Sequence, residues 1–150
     1  MKKMMQFVAM ILFVFSAAAW AQQDPLIGTW ERFSLKNAQG AVTQPPSAPA
    51  FAIFTSNNYF SITAIPAGRK KIDKPLAELT KEELLDRFQN LNARRGTYSV
   101  SGNRLTRKDV SRVDPNLEGG EQIQEFRIDG DVLILTTPGN QAEARFRRVR

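Results

Sequence analysis

Downstream of residue 26, apolar residues recur mainly with a period of two. This is the spacing of strands that bury one face. Ile27 to Leu35 places Trp30, Phe33 and Leu35 among polar neighbours. Phe51 to Thr55 and Tyr59 to Ile65 are rich in aromatic and β-branched residues, and Ser56-Asn57-Asn58 between them suits a tight hairpin because Asn tolerates positive φ. The spacing predicts further strands over Thr97–Ser101, Arg104–Val113, Glu121–Ile128, Asp131–Thr137 and Glu143–Val149, eight in all. The separators Ser101-Gly102-Asn103, Asp129-Gly130 and Pro138-Gly139-Asn140-Gln141 are short and turn-forming, so successive strands should pair antiparallel. Two segments break the pattern: Asn37 to Ala50, with three prolines that cannot serve a central ladder, and Pro66 to Pro75, with the solvent-facing run Arg69-Lys70-Lys71.

One stretch has the helical period instead. Thr80 with Glu83 three residues on forms a capping box, and Leu84, Leu85, Phe88 and Leu91 make an apolar stripe. Arg94 and Arg95 suit a last turn, and Gly96 suits the position beyond it. The stripe is expected to cover the core of its own domain. A single open sheet of eight strands would leave two edges and a bare face, whereas closure removes both. The pattern therefore predicts an all-β, eight-stranded antiparallel up-and-down barrel with one amphipathic helix.

Residues 1–21 stand apart from this pattern. Lys2 and Lys3 precede an uncharged apolar run from Phe7 to Trp20, and Ala19-Trp20-Ala21 offers a small-x-small cleavage site. The run is shorter than the roughly 20 residues of a spanning helix. A cleaved signal peptide over 1–21, a barrel domain over 22–150 and a periplasmic or secreted protein with no stable membrane insertion are expected. No Cys follows the run to accept a lipid.

Composition narrows the chemistry. The 150 residues contain neither His nor Cys, which removes the commonest general base, thiolate nucleophiles, disulfides and the usual zinc ligands. No metal, cofactor or catalytic set is expected. The formal charge of +6 falls by the two charges of Lys2 and Lys3 on cleavage. A nucleic-acid surface is disfavoured, since the basic residues alternate along strands as a solvated face does and lack an aromatic-basic RNA motif.

Several segments resemble a known family. Ile27-Gly28-Thr29-Trp30 is similar to the Gly-x-Trp opening of lipocalins and related calycin barrels. Gly96-Thr97-Tyr98, Asp114-Pro115-Asn116 with Gly119, Gln122 with Phe126, Asp129-Gly130-Asp131 with Leu133, and Phe146-Arg147-Arg148 follow in the order of the bacterial lipocalin-like domain family. Where that family often carries His on the fifth strand this chain has Arg107-Lys108, and it has Gln124 and Phe146 where Arg and Trp are common. The resemblance implies a barrel around an internal cavity for a small, often apolar molecule. It also implies that Trp30 closes the base, stacked by Arg148.

In a barrel alternate residues face the lumen. An inward Phe126 brings Gln122, Gln124 and Ile128 with it, and the matching phase of the preceding strand is Thr106, Lys108 and Val110. Lys108, Gln122, Gln124 and Tyr98 would then receive an acidic head group, with Phe51, Phe54, Phe60 and Phe126 as apolar wall. In the opposite phase Leu105, Ile123, Leu133 and Leu135 form an ordinary core and Lys108 faces solvent. The expected function is non-catalytic binding, by a monomer, of a small hydrophobic or amphipathic ligand, anionic ones included. Two alternatives stand beside it: a small isomerase- or cyclase-like barrel enzyme, and a structural or interaction domain whose barrel is filled.

Overall fold

The computed structural model describes residues 24–43, 50–66, 69–88 and 91–150. The expected signal segment and the Pro-rich run 44–49 lie outside these. The strands are β1 (Gly28–Lys36), β2 (Val42–Thr43), β3 (Ala50–Phe54), β4 (Tyr59–Ala64), β5 (Asn92–Ser101), β6 (Arg104–Arg112), β7 (Glu121–Asp129), β8 (Val132–Thr136) and β9 (Glu143–Arg148). Antiparallel pairing runs in the order β1-β3-β4-β5-β6-β7-β8-β9 and β1 returns to β9, so the eight longer strands close into a barrel with β2 as a short addition to β1.

The core follows the period of two. Trp30, Ala52, Phe54, Phe60, Ile62, Tyr98, Leu105, Leu133, Leu135 and Phe146 are buried together with Leu26. Ala52 stands opposite both Trp30 and Ile62, so the smallest side chain sits beside the largest and interior volume is conserved. The Ser56–Asn58 hairpin forms as expected, with Asn58 at φ 63°. Trp30 donates from Nε1 to the Leu26 carbonyl at 2.7 Å.

The helix departs from expectation at its far end. Its start is the capping box: Glu83 N–H donates to Thr80 Oγ1 at 3.2 Å and Thr80 N–H donates to Glu83 Oε2 at 2.9 Å. Yet α1 spans only Lys81–Phe88, and Arg94, Arg95 and Gly96 belong to β5. Pairing with β4 and β6 captures that segment. Gly96 is required there for close approach, since a Cβ on it would stand 1.9 Å from the Lys108 carbonyl oxygen, at the point where the β5–β6 register shifts. Nor does α1 cover the core. It has no buried residue, with Leu85 58% and Phe88 50% exposed, and it is tied to the preceding segment by Lys74–Glu83 at 2.8 Å and Arg87 to the Ile72 carbonyl at 3.3 Å.

Candidate functional site

The barrel interior divides along its axis. Near Trp30 the side chains pack as an apolar floor, in which the Phe54 and Tyr98 rings meet edge to face at 5.1 Å between centroids. Toward the other end, from which the helix-bearing connection between β4 and β5 departs, the interior turns polar. The pairs Arg94–Arg112, Gly96–Asp109 and Tyr98–Arg107 follow one another along β5 and β6, and Arg107 stands opposite Gln122 on β7.

The register of β6 on β7 decides which side chains meet. Leu105 faces Gln124 and Arg107 faces Gln122, so the buried Leu105, Arg107 and Asp109 share the face of the glutamines, of which Gln124 is half-buried and Gln122 exposed. This corrects the expected phase of β6 by one residue, which sends Thr106, Lys108 and Val110 to the other face. Lys108 is exposed on the outside of the barrel and cannot reach the interior. The alternative phase was also only half right, since Ile123 is 39% exposed while Leu105, Leu133 and Leu135 are buried. The inward cation is Arg107.

Arg107 is 2% exposed. Its Nη2 donates to Gln122 Oε1 at 3.0 Å and to Gln124 Oε1, and its guanidinium carbon lies 5.5 Å from the centre of the Phe60 ring. Its Nε and Nη1 meet no acceptor among the described residues. Burial, then the charge of Arg94, holds the Arg107 guanidinium below its ordinary range, while Asp109 opposes the shift. Arg94 donates from Nη1 to Gln122 Oε1 at 2.6 Å, and burial lowers its pKa too. Asp109, also 2% exposed, accepts on Oδ2 from Arg112 at 3.0 Å, with Arg94 at 3.8 Å, and its Oδ1 has no donor among the described residues.

Of the residues expected at a site, Gln122 and Gln124 meet around Arg107, with Phe60 beneath it, and Phe126 packs half-buried against the core. Phe54 and Tyr98 belong to the packed floor. The Tyr98 hydroxyl donates to the Thr55 carbonyl at 3.0 Å, and burial raises its pKa, so it is committed to the base. The residues that sequence reasoning missed are Arg94, Arg107, Asp109 and Arg112. Arg107 stood next to the chosen lysine, and only the parity of the β6–β7 connection separates the two.

Trp30 and Arg148 meet as the resemblance implies, with the guanidinium carbon 4.1 Å from the ring centre. Among the described residues no group of His, Cys, Asp and Glu side chains could hold a metal ion, and no helix is long and apolar enough to cross a membrane.

A closed eight-stranded antiparallel barrel with one helix and a mixed interior defines a protein of the lipocalin-like barrel class. The chain belongs to the lipocalin-like domain family, whose model matches residues 27–149. It is similar in fold to a lipocalin-like protein from Bacteroides uniformis, 19% identical, covering 83% of this chain and 98% of that one with a TM-score of 0.52. It is also similar to an uncharacterized protein from Bacteroides eggerthii, 12% identical, covering 83% and 99% with a TM-score of 0.51. No curated protein matches the chain in sequence.

Proposed function

We propose that this is an exported lipocalin-like protein that binds a small hydrophobic or amphipathic molecule inside its barrel without catalysing a reaction on it. The observation that carries the reading is Arg107, a buried cation with two nitrogens that meet no acceptor among the described residues, above an apolar floor. A filled structural barrel gains nothing from such a group, because a buried polar atom without a partner costs on the order of 1–3 kcal/mol and more when charged. Export is supported by the signal pattern of residues 1–21.

Native mass spectrometry of the mature protein purified from its own cells, compared with the denatured chain, tests the reading. Extra mass released on denaturation supports it and identifies the cargo. A protein that carries nothing and binds neither acidic nor neutral amphiphiles would return it to the filled-barrel alternative.

A second reading, a small barrel enzyme, has one observation in its favour: the donor-free Oδ1 of Asp109 in the same chamber. Chemical change of the identified cargo, abolished in Asp109→Asn, would select it.

A further inference from the structure

We infer that α1 docks the protein on the surface of an anionic lipid bilayer, with Leu84, Leu85 and Phe88 seated among the lipids and Lys81, Arg69 and Lys70 against the phosphates. The inference concerns the outside of the molecule and holds whatever the barrel contains.

The sorting of side chains around the helix supplies the first argument. With about 100° of turn per residue, Lys81, Leu84, Leu85 and Phe88 share one side of α1, and they line a single shallow hollow. Glu82, Glu83 and Asp86 fall on the remaining side, as does Arg87. That remaining side is the one fastened to the protein, through Glu83 to Lys74 at 2.8 Å and Arg87 to the Ile72 carbonyl at 3.3 Å. The apolar stripe is thereby held outward, with Leu85 58% and Phe88 50% exposed. Large apolar side chains grouped at a surface mark a contact, unlike the single exposed leucines scattered over any protein.

Charge identifies the partner. Arg69 donates to the Arg87 carbonyl at 2.8 Å, which lays Arg69 and Lys70 beside the C-terminal end of the stripe, while Lys81 stands at its N-terminal end. All three are exposed. Among the carboxylates nearby, Asp73 pairs with Lys71 at 3.1 Å and Glu83 with Lys74, Glu82 and Asp86 face away, and Glu78 lies ahead of the helix. Cations therefore bracket the apolar residues and the acids are kept off them, as suits a helix lying in the interface of an anionic membrane. Lys81 can lay its alkyl stem along the stripe and still reach a phosphate. A second copy of the chain fits less well, because three side chains bury a few hundred Å² at most, short of the roughly 800 Å² per partner of a stable interface. A short convex ridge needs a matching groove in a protein, whereas lipid closes around it.

The test mixes the mature protein at low salt with vesicles of phosphatidylcholine alone, or of phosphatidylcholine and phosphatidylglycerol in equal parts, and measures cosedimentation. Partitioning onto the anionic vesicles should be at least about tenfold stronger, since each basic side chain near such a surface contributes about a factor of five. Leu85→Ala/Phe88→Ala, which keeps good helix formers in α1, should lose at least about tenfold of that binding. Leu117→Ala in the β6–β7 connection, where Leu117 is 46% exposed, should lose none. Lys70→Gln/Lys81→Gln should remove most of the preference for anionic vesicles. The chain has no Cys, so Leu85→Cys takes a single NBD group, whose emission should shift to the blue on the anionic vesicles. Absence of binding, equal binding to both vesicles, binding that survives in folded Leu85→Ala/Phe88→Ala, or binding without the NBD shift each overturns the inference. If the wild type ignores vesicles but dimerises in sedimentation velocity, and Leu85→Ala/Phe88→Ala does not, the stripe belongs to a second copy and the lipid assignment is wrong.

Discussion

Arg148 stands over Trp30 at the base of the barrel, its guanidinium carbon 4.1 Å from the ring centre while Nη1 and Nη2 donate to the carbonyls of Ile27 and Pro25, each at 2.9 Å. One side chain thereby joins the last strand, the first strand and the segment before it. Gly28 makes the approach possible, since a Cβ there would stand 2.8 Å from Arg148 Nη1. Trp30→Ala should cost about 3–5 kcal/mol, and Arg148→Met about 1–3 kcal/mol, as the cation–π contact and two hydrogen bonds are lost. Urea denaturation of the two variants checks both values. A Trp30→Ala protein with wild-type stability would contradict the closure role.

Arg107 should be a group that weakens the empty protein. Its charge is buried, and the carboxylate of Asp109, two residues along β6, is engaged by Arg112 and Arg94. Arg107→Met keeps the volume and removes the desolvated charge, so unfolding of the ligand-free variant should be unchanged or up to about 3 kcal/mol costlier than wild type. Asp109→Asn should act in the opposite direction by about 3 kcal/mol, because Arg94 and Arg112 lose the carboxylate they share. Thermal unfolding of the pair decides this, and a strongly destabilised Arg107→Met would show that the cation holds the fold together.

At Gly96 the prediction is steric. Adding a methyl group places it against the Lys108 carbonyl, which belongs to the backbone of β6 and has no rotamer to escape into. Gly96→Ala should destabilise the barrel by more than about 2 kcal/mol and loosen the neighbouring Arg94–Asp109–Arg112 contacts. Amide hydrogen exchange should show the loss concentrated in β5 and β6. Uniform or absent loss would contradict the close approach.

The seam between β1 and β9 carries a pH dependence. The Arg145 hydrogen bond outweighs the opposing effect of burial and, with the weaker pull of the charges of Arg145 and Lys36, holds the Glu143 carboxyl below its ordinary 4.5. The unfolded chain therefore binds the proton more readily. The contribution is complete above pH 4.5 and is lost as pH falls through the lowered folded value. Stability should show a Glu143-dependent decline on acidification that Glu143→Gln lacks. Identical acid profiles would remove Glu143 from the account.

Much of the architecture was legible because each strand is short, alternates cleanly and ends in a turn-forming sequence. The capping box of Thr80 and Glu83 located the helix start for the same reason, through a purely local interaction. What failed was non-local. Gly96 satisfies both a helix terminus and a close strand approach, and only the presence of β6 across from it decides between them. The site turned on the parity of the β6–β7 connection, where one residue separates an inward Lys108 from an inward Arg107. No local propensity measures that parity. That Gln122, Gln124 and Phe126 share one face of β7 follows from alternation within one strand, which needs no partner.

Closure of the barrel also orders events in time. Arg148 and Ile27 are 121 residues apart in sequence, so the contact that seals the base joins the far ends of the folded chain. Pairings of that separation form late, after the chain entropy between them has been surrendered. Until β9 is present, β1 and β8 are open edges with unpaired amides, able to recruit strands from other molecules. A chain cut before Glu143 would therefore be an aggregating species, and the barrel becomes safe to itself only with β9 in place.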